Sequence, residues 1–149
     1  VHHFDGLPEQ LAAALEHRCA ELNHAFRERP TPTCLSDLVK YSWETLTATD
    51  FKVVIEAWLA AANDPGLREA IAPVIERFSK LVTLGLKPEL LADESAETFY
   101  LMARETLFGL ALGRATNRGP VEHEERVINH LVCLATEHDG LHGQVPGDI

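Results

Sequence analysis

The stretch SAETFYLMARETLFGLALGR, Ser95 to Arg114, constrains this chain most, because its apolar residues do not keep to one side of a helix. Phe99, Met102, Ala103, Leu107, Leu110 and Ala111 recur at steps of three and four and make a core stripe, while Tyr100, Phe108 and Leu112 fill the opposite side. A surface helix of a globular domain carries one apolar sector about 100° wide. The second sector therefore calls for a further packing layer. The segment Pro120 to Glu137 follows after a short break and is itself rich in apolar residues: Val127, Ile128, Leu131, Val132, Leu134 and Ala135. Two copies of this hairpin would close into an intermolecular four-helix bundle, and a symmetric dimer buries the same patch on both partners. The expected interface sets Phe108, Ala111 and Leu112 against Val127, Leu131 and Leu134. Gly109 and Gly113 stand four apart on the same helix, each costing about 1 kcal/mol relative to Ala. That cost is tolerated where a neighbouring backbone comes close or, at Gly113, where the helix frays before the Arg114 to Gly119 loop.

The rest of the chain reads as helix throughout, about six in all, an all-α fold with no alternating strand pattern. Pro8 to Glu28 carries Leu11, Leu15, Cys19, Leu22 and Phe26 on one side. Pro30 and Pro32 end it, and Thr33 is placed to cap a shorter helix bearing Leu35, Leu38, Val39, Ser42 and Leu46. Thr47 or Thr49 caps a third helix with Phe51, Val54, Trp58 and Ala61. Asp64 suits the N-cap of a fourth, with Pro65 at its first position and Leu67, Ile71, Val74, Ile75, Phe78, Leu81 and Val82 along it. Pro73 predicts a kink or break near Ala72, and Gly85 a stop after Leu84. Asp93 or Ser95 caps the central helix. Pro120 begins the last one, which His138-Asp139-Gly140 ends, and residues 141–149 read as a flexible tail.

At 149 residues, 46% hydrophobic and 24% charged, the chain has the size and balance of one domain. No apolar run reaches the roughly 18 residues that cross a bilayer. Its net charge of −10, with scattered basic residues, disfavours phosphate contact by these residues. Cys19, Cys34 and Cys133 are odd in number and far apart, which fits a reduced, cytoplasmic setting. VHHFDGLPEQ has no secretion signal and no initiator Met, and reads as an internal fragment or processed chain.

No catalytic constellation stands out: there is no GxSxG, GxGxxG, HExxH or phosphate loop. His130, Cys133 and Glu137 share a helix face, but a metal would need further ligands from elsewhere, so no metal and no cofactor is expected. The aromatic residues are the better lead. Phe26, Trp58, Phe78 and Tyr100 come from four helices, and a mostly apolar cavity with a few polar groups is what a small-molecule site between helices requires. Arg104, one turn beyond Tyr100, would meet an anionic group on such a ligand. The competing reading makes the aromatics plain core and pairs Arg104 with a surface acid.

Three places carry a resemblance to the TetR family of transcriptional regulators. Val1-His2-His3-Phe4, followed by Leu11, Ala14 and Leu15, resembles the junction where the recognition helix ends and a long linking helix begins. Trp58-Leu59-Ala60-Ala61-Ala62-Asn63-Asp64-Pro65-Gly66-Leu67-Arg68 resembles a joint between two ligand-domain helices, and the loop ending Leu90-Leu91-Ala92-Asp93 precedes two helices that build the family's dimer interface. Val1 replaces the usual aromatic residue, the common lysine after Phe4 is missing, and the helix-turn-helix is not in this sequence. The resemblance implies a ligand-responsive repressor, with residues 1–4 a remnant of its DNA-binding domain and residues 5–140 its ligand-binding and dimerisation domain. Its partners would be a second copy, a small hydrophobic or amphipathic effector, and operator DNA reached only through the missing N-terminal domain, with no role for a membrane. The alternatives are a free-standing helical adaptor without DNA binding, and a small helical enzyme or metal protein using the histidines.

Overall fold

The computed structural model describes residues 6–84, 86 and 88–142. Among these residues the protein is all-helical, with six α-helices, two short 3₁₀ segments and no strand. The helices are α1 (Leu7–Arg27), α2 (Leu35–Leu46), α3 (Lys52–Asn63), α4 (Pro65–Leu84), α5 (Glu94–Asn117) and α6 (Glu124–His142), with 3₁₀ segments Thr49–Phe51 and Pro88–Leu91. None of the described helices is long and apolar enough to cross a membrane. The chain divides into two compact units, residues 1–31 with 48–86 and residues 32–47 with 87–149. Expectations for residues 1–4, Gly85 and 143–149 lie outside the described residues.

In the first unit α1, α3 and α4 pack together with the Thr49–Phe51 segment. Leu15, Cys19 and Leu22 bury the 3.6-residue stripe of α1 against α4, whose Leu67, Ile71, Val74 and Phe78 keep the same period. Each such leucine removed from water contributes about 1.5–3 kcal/mol. The third helix starts directly from the 3₁₀ turn, with Phe51 as its N-cap residue rather than Thr47 or Thr49. The α3–α4 joint forms as its residues suggest. Asp64 accepts a hydrogen bond from the Leu67 N–H at 3.0 Å, capping α4, while the Arg68 guanidinium donates to the last-turn carbonyls of Ala61 at 3.1 Å and Ala62 at 2.6 Å. Of the kink or break expected near Ala72, the break does not occur, for α4 is continuous through Pro73. Pro73 and Glu69, whose carbonyl loses its helical donor, both lie on the exposed side of the helix, open to solvent.

In the second unit α2 packs on both α5 and α6. Leu35, Leu38 and Val39 meet a core that draws Ala96, Ala103, Leu107, Leu110 and Ala111 from α5 and Ala135 from α6. Asp93 caps α5 by accepting from the Ala96 N–H at 3.1 Å. The helix does not fray at Gly113 but runs to Asn117, where Arg118 turns left-handed (φ 56°) and the Gly119 N–H reaches the Arg114 carbonyl at 3.0 Å. Two positions on α5 correct the sequence reading. Met102 is 65% exposed rather than part of the core stripe, and Tyr100, assigned to the opposite side, is half-buried on the core side, where it bonds Ser42 of α2. The core line follows Ala96, Ala103, Leu107 and Ala111, and at 100° per residue Met102 stands well off it while Tyr100 falls on it.

α6 starts at Glu124 rather than Pro120 and continues through Gly140 to His142. It runs antiparallel to α5. At one end Arg114 pairs with Glu124, and at the other the Ser95 hydroxyl and His138 Nε2 are 3.0 Å apart, with the Phe99 and His138 rings 6.2 Å apart.

Candidate functional site

Antiparallel pairing fixes which side of each helix meets the other, and hence which side is left over. Val127, Leu131, Leu134, His138 and Leu141 follow one another on α6 at steps of four, three, four and three, the spacing of a coiled-coil seam. Val127, Leu131 and His138 are half-buried, while Leu134 is 38% and Leu141 76% exposed. On α5 the outer side beside this stripe carries Thr98, Met102 and Gly109, all exposed, and a Cβ added at Gly109 would meet nothing within 4 Å. Exposed Glu105 lies on the same line of α5, its carboxylate held by Arg104. The hairpin thus presents an outer face that is apolar along α6 and mixed along α5, with the single methionine of the chain between Thr98 and Glu105.

The expected interface residues separate on this geometry. Val127, Leu131 and Leu134 share the α6 stripe. Phe108 lies nine residues from Phe99, half a turn round α5, and Phe99 is the residue that meets α6, so Phe108 sits on the side of α5 turned away from that stripe, while half-buried Leu112, seven residues beyond Glu105, falls on the outer line with it. Ala111 is buried inside its own unit. Periodicity found the apolar surplus of α5 but assigned it to a single second face. Leu141 was missed because Gly140 reads as a stop, and His138 because a histidine does not register in an apolar pattern.

Two polar constructions hold the hairpin in place. Glu124, with 7% of its side chain exposed, forms a two-point ion pair with Arg114, Nε to Oε2 at 3.1 Å and a second, shorter contact from the other guanidinium nitrogen to Oε1. The Trp43 ring of α2 lies 5.4 Å from the guanidinium carbon. At the far end, α2 has no side-chain cap of its own: Cys34, not Thr33, is the N-cap residue, and it makes no such bond. Asp139 of α6 supplies it, accepting from the Leu35 N–H at 2.8 Å and the Ser36 N–H at 3.0 Å. Burial works against the Asp139 charge, but the bonds from the Ser36 and Leu35 backbone and the Ser36 and Cys34 side chains outweigh it and hold the carboxyl below its ordinary value. Neither arrangement was legible in the sequence, where Asp139 reads as part of a stop signal.

The aromatic residues fall into different surroundings. Phe26 and Phe78 pack in the first unit with centroids 6.2 Å apart, and Phe51, which was not among the expected ligand-site aromatics, lies 6.1 Å from Phe78. Trp58, also in the first unit, is 39% exposed. Tyr100 belongs to the second unit; burial raises its phenol, with the Arg104 charge and the Ser42 bond pulling the other way. Arg104 itself donates to Glu105 from Nε at 3.0 Å and from a terminal nitrogen at 2.6 Å, the surface pairing expected of the competing reading. A cleft of about 290 Å³ opens beside Glu122, His123 and Arg126 near the start of α6. Cys133 and Glu137 stand 3.9 Å apart, but among the described residues no group of three or more His, Cys, Asp or Glu is placed to hold a metal ion. No family model, curated protein or solved structure matches this chain.

Proposed function

We propose that this chain is the effector-binding and dimerising part of a TetR-like transcriptional repressor, working in the cytoplasm as a homodimer. The observation that carries the reading is the outer face of the α5–α6 hairpin: Met102, Gly109, Leu134 and Leu141 lie outside the unit's core, next to half-buried Val127 and Leu131. A face of this kind is buried by a second copy, twice over, in a two-fold dimer. Operator DNA is contacted through a separate helix-turn-helix domain, since a net charge of −10 offers phosphates little. The effector is a small hydrophobic or amphipathic molecule. It acts by binding two arrangements of the dimer with different affinity; a coupling of about 1–3 kcal/mol changes operator affinity roughly 5- to 150-fold.

Native mass spectrometry of the purified chain tests both halves of the proposal. A dimer with a retained mass of a few hundred daltons supports it, and a monomer at every concentration removes the dimer. Trp58→Ala is expected to weaken binding of the retained molecule without changing subunit number. Unchanged affinity in calorimetry would take that residue out of effector contact.

A further inference from the structure

The interhelix cap made by Asp139 joins the start of α2 to the last turns of α6, and those turns carry the lower half of the apolar stripe. The sequence around Asp139 argues against helix there: Gly140 costs about 1 kcal/mol relative to Ala, and no side chain in a fraying end would hold Leu141 in register. Yet α6 continues to His142, so that Leu141 extends the line of Val127, Leu131, Leu134 and His138. Two contacts pin this end, the Ser95–His138 bond and the two bonds to Asp139. The second set has charge behind it. A carboxylate facing the two free N–H groups of a helix start meets both the donors and the positive end of the dipole.

We infer that Asp139 is a positioning residue for self-association: by capping α2 from α6 it holds the final turn of α6 helical, and so completes an association face to which Asp139 itself does not belong. The inference rests on the homodimer reading above. It makes the order of α2's first turn and the strength of association two readouts of one contact.

Asp139→Ala and the milder Asp139→Asn, which keeps one acceptor, separate this from simple loss of stability when compared with the double variant Cys34→Asp/Asp139→Ala. Cys34 already has the extended backbone of an N-cap residue (φ −147°, ψ 167°), so an aspartate there caps α2 from its own N-terminal residue, with no carboxylate supplied by α6. Hydrogen exchange and sedimentation equilibrium are measured on all four proteins. In Asp139→Ala the Leu35 and Ser36 amides and the 139–142 segment lose protection together, and the association constant falls roughly tenfold or more, the scale of a lost charge-assisted pair. Asp139→Asn lies between. In the double variant the α2 amides regain protection, while the end of α6 and the association constant do not recover. Recovery of association by the Cys34→Asp change would overturn the inference, since Asp139 would then serve only α2's stability. So would full protection of 139–142 in Asp139→Ala. If the wild-type chain is monomeric at all concentrations, the homodimer reading falls on that result alone, and the coupling of α2's start to the α6 end is still decided by exchange.

Discussion

Replacing Glu124 by Gln should unseat the joint between α5 and α6. The carboxylate is almost wholly buried and makes two contacts with Arg114, whose side chain remains 36% exposed beneath Trp43. Breaking a fully buried pair costs about 3–5 kcal/mol because a charge is stranded; an exposed pair is worth about 0–1 kcal/mol. Here one partner is buried and the other has water on about a third of its surface, so solvent screening roughly halves the upper figure, leaving about 2 kcal/mol. A double-mutant cycle with Arg114→Met, which keeps the aliphatic stem against Trp43, isolates the pair from the packing of either side chain. Urea unfolding followed by Trp43 fluorescence in a Trp58→Phe background reads the second unit alone, because these are the only two tryptophans. The expected coupling energy is about 2 kcal/mol, with altered Trp43 emission in folded Glu124→Gln as the guanidinium leaves the ring. A coupling below about 0.5 kcal/mol would mean the pair behaves as a surface one and the joint is held by Leu107, Leu110 and Ala135 instead.

Leu134→Glu, on the exposed part of the α6 stripe, should yield a folded monomer by sedimentation, whereas Leu131→Glu, set deeper, should also lower the melting temperature; a normal dimer from Leu134→Glu would place the interface elsewhere. Because the folded Asp139 carboxyl is held below the ordinary 3.8, its cap contributes fully above that value and is lost as pH falls through it toward the lower folded value. Urea midpoints measured from about pH 5 to about pH 3 should therefore fall less steeply in Asp139→Asn than in the wild type. The Cys19 thiol is pushed up to about 11, by burial first and then by Glu16, so at pH about 8 its reaction with a maleimide should trail that of exposed Cys133 by orders of magnitude. Equal rates by mass spectrometry would show that α1 opens readily from α4.

What the sequence made legible was decided by residues acting over one or two turns. The Leu15, Cys19 and Leu22 part of the α1 stripe, the Asp64-Pro65 start of α4 and the Asp93 cap of α5 all depend on neighbours within four positions and formed as expected, while Leu11, at the head of that stripe, is 45% exposed. The misjudged boundaries of α2 and α6 had distant partners. The start of α2 is capped from Asp139, 104 positions beyond Leu35, and α6 outlasts Gly140 where that bond and the Ser95–His138 contact anchor its end. At Pro73 the helix continues without a break for a different reason. The cost of an internal proline is a missing bond and a crowded carbonyl, and both are softened when that side of the helix faces water.

The harder case is α5, where the sequence announced too much apolar surface without saying how it divides. Spacing alone gives angles about one axis, and a helix with residues such as Leu101, Met102 and Phe108 around that axis has no unique inside. The direction of the core became determinate only once Arg114 and Glu124, with Ser95 and His138, fixed α6 antiparallel along one flank. Three environments then follow from one helix: the side of Ala103 and Leu107 packs within the unit, the side of Phe99 meets α6, and the side of Met102 and Gly109 is the outer surface next to Leu134. The glycine on that outer surface reinforces its reading as an association face, because Gly109 lets a second backbone approach where a larger side chain would hold it off. Gly109→Leu should consequently weaken the dimer while leaving the isolated fold intact, since a side chain there meets nothing within 4 Å in one copy. A dimer of undiminished stability in Gly109→Leu would separate the glycine from the interface and return it to the class of tolerated helix defects.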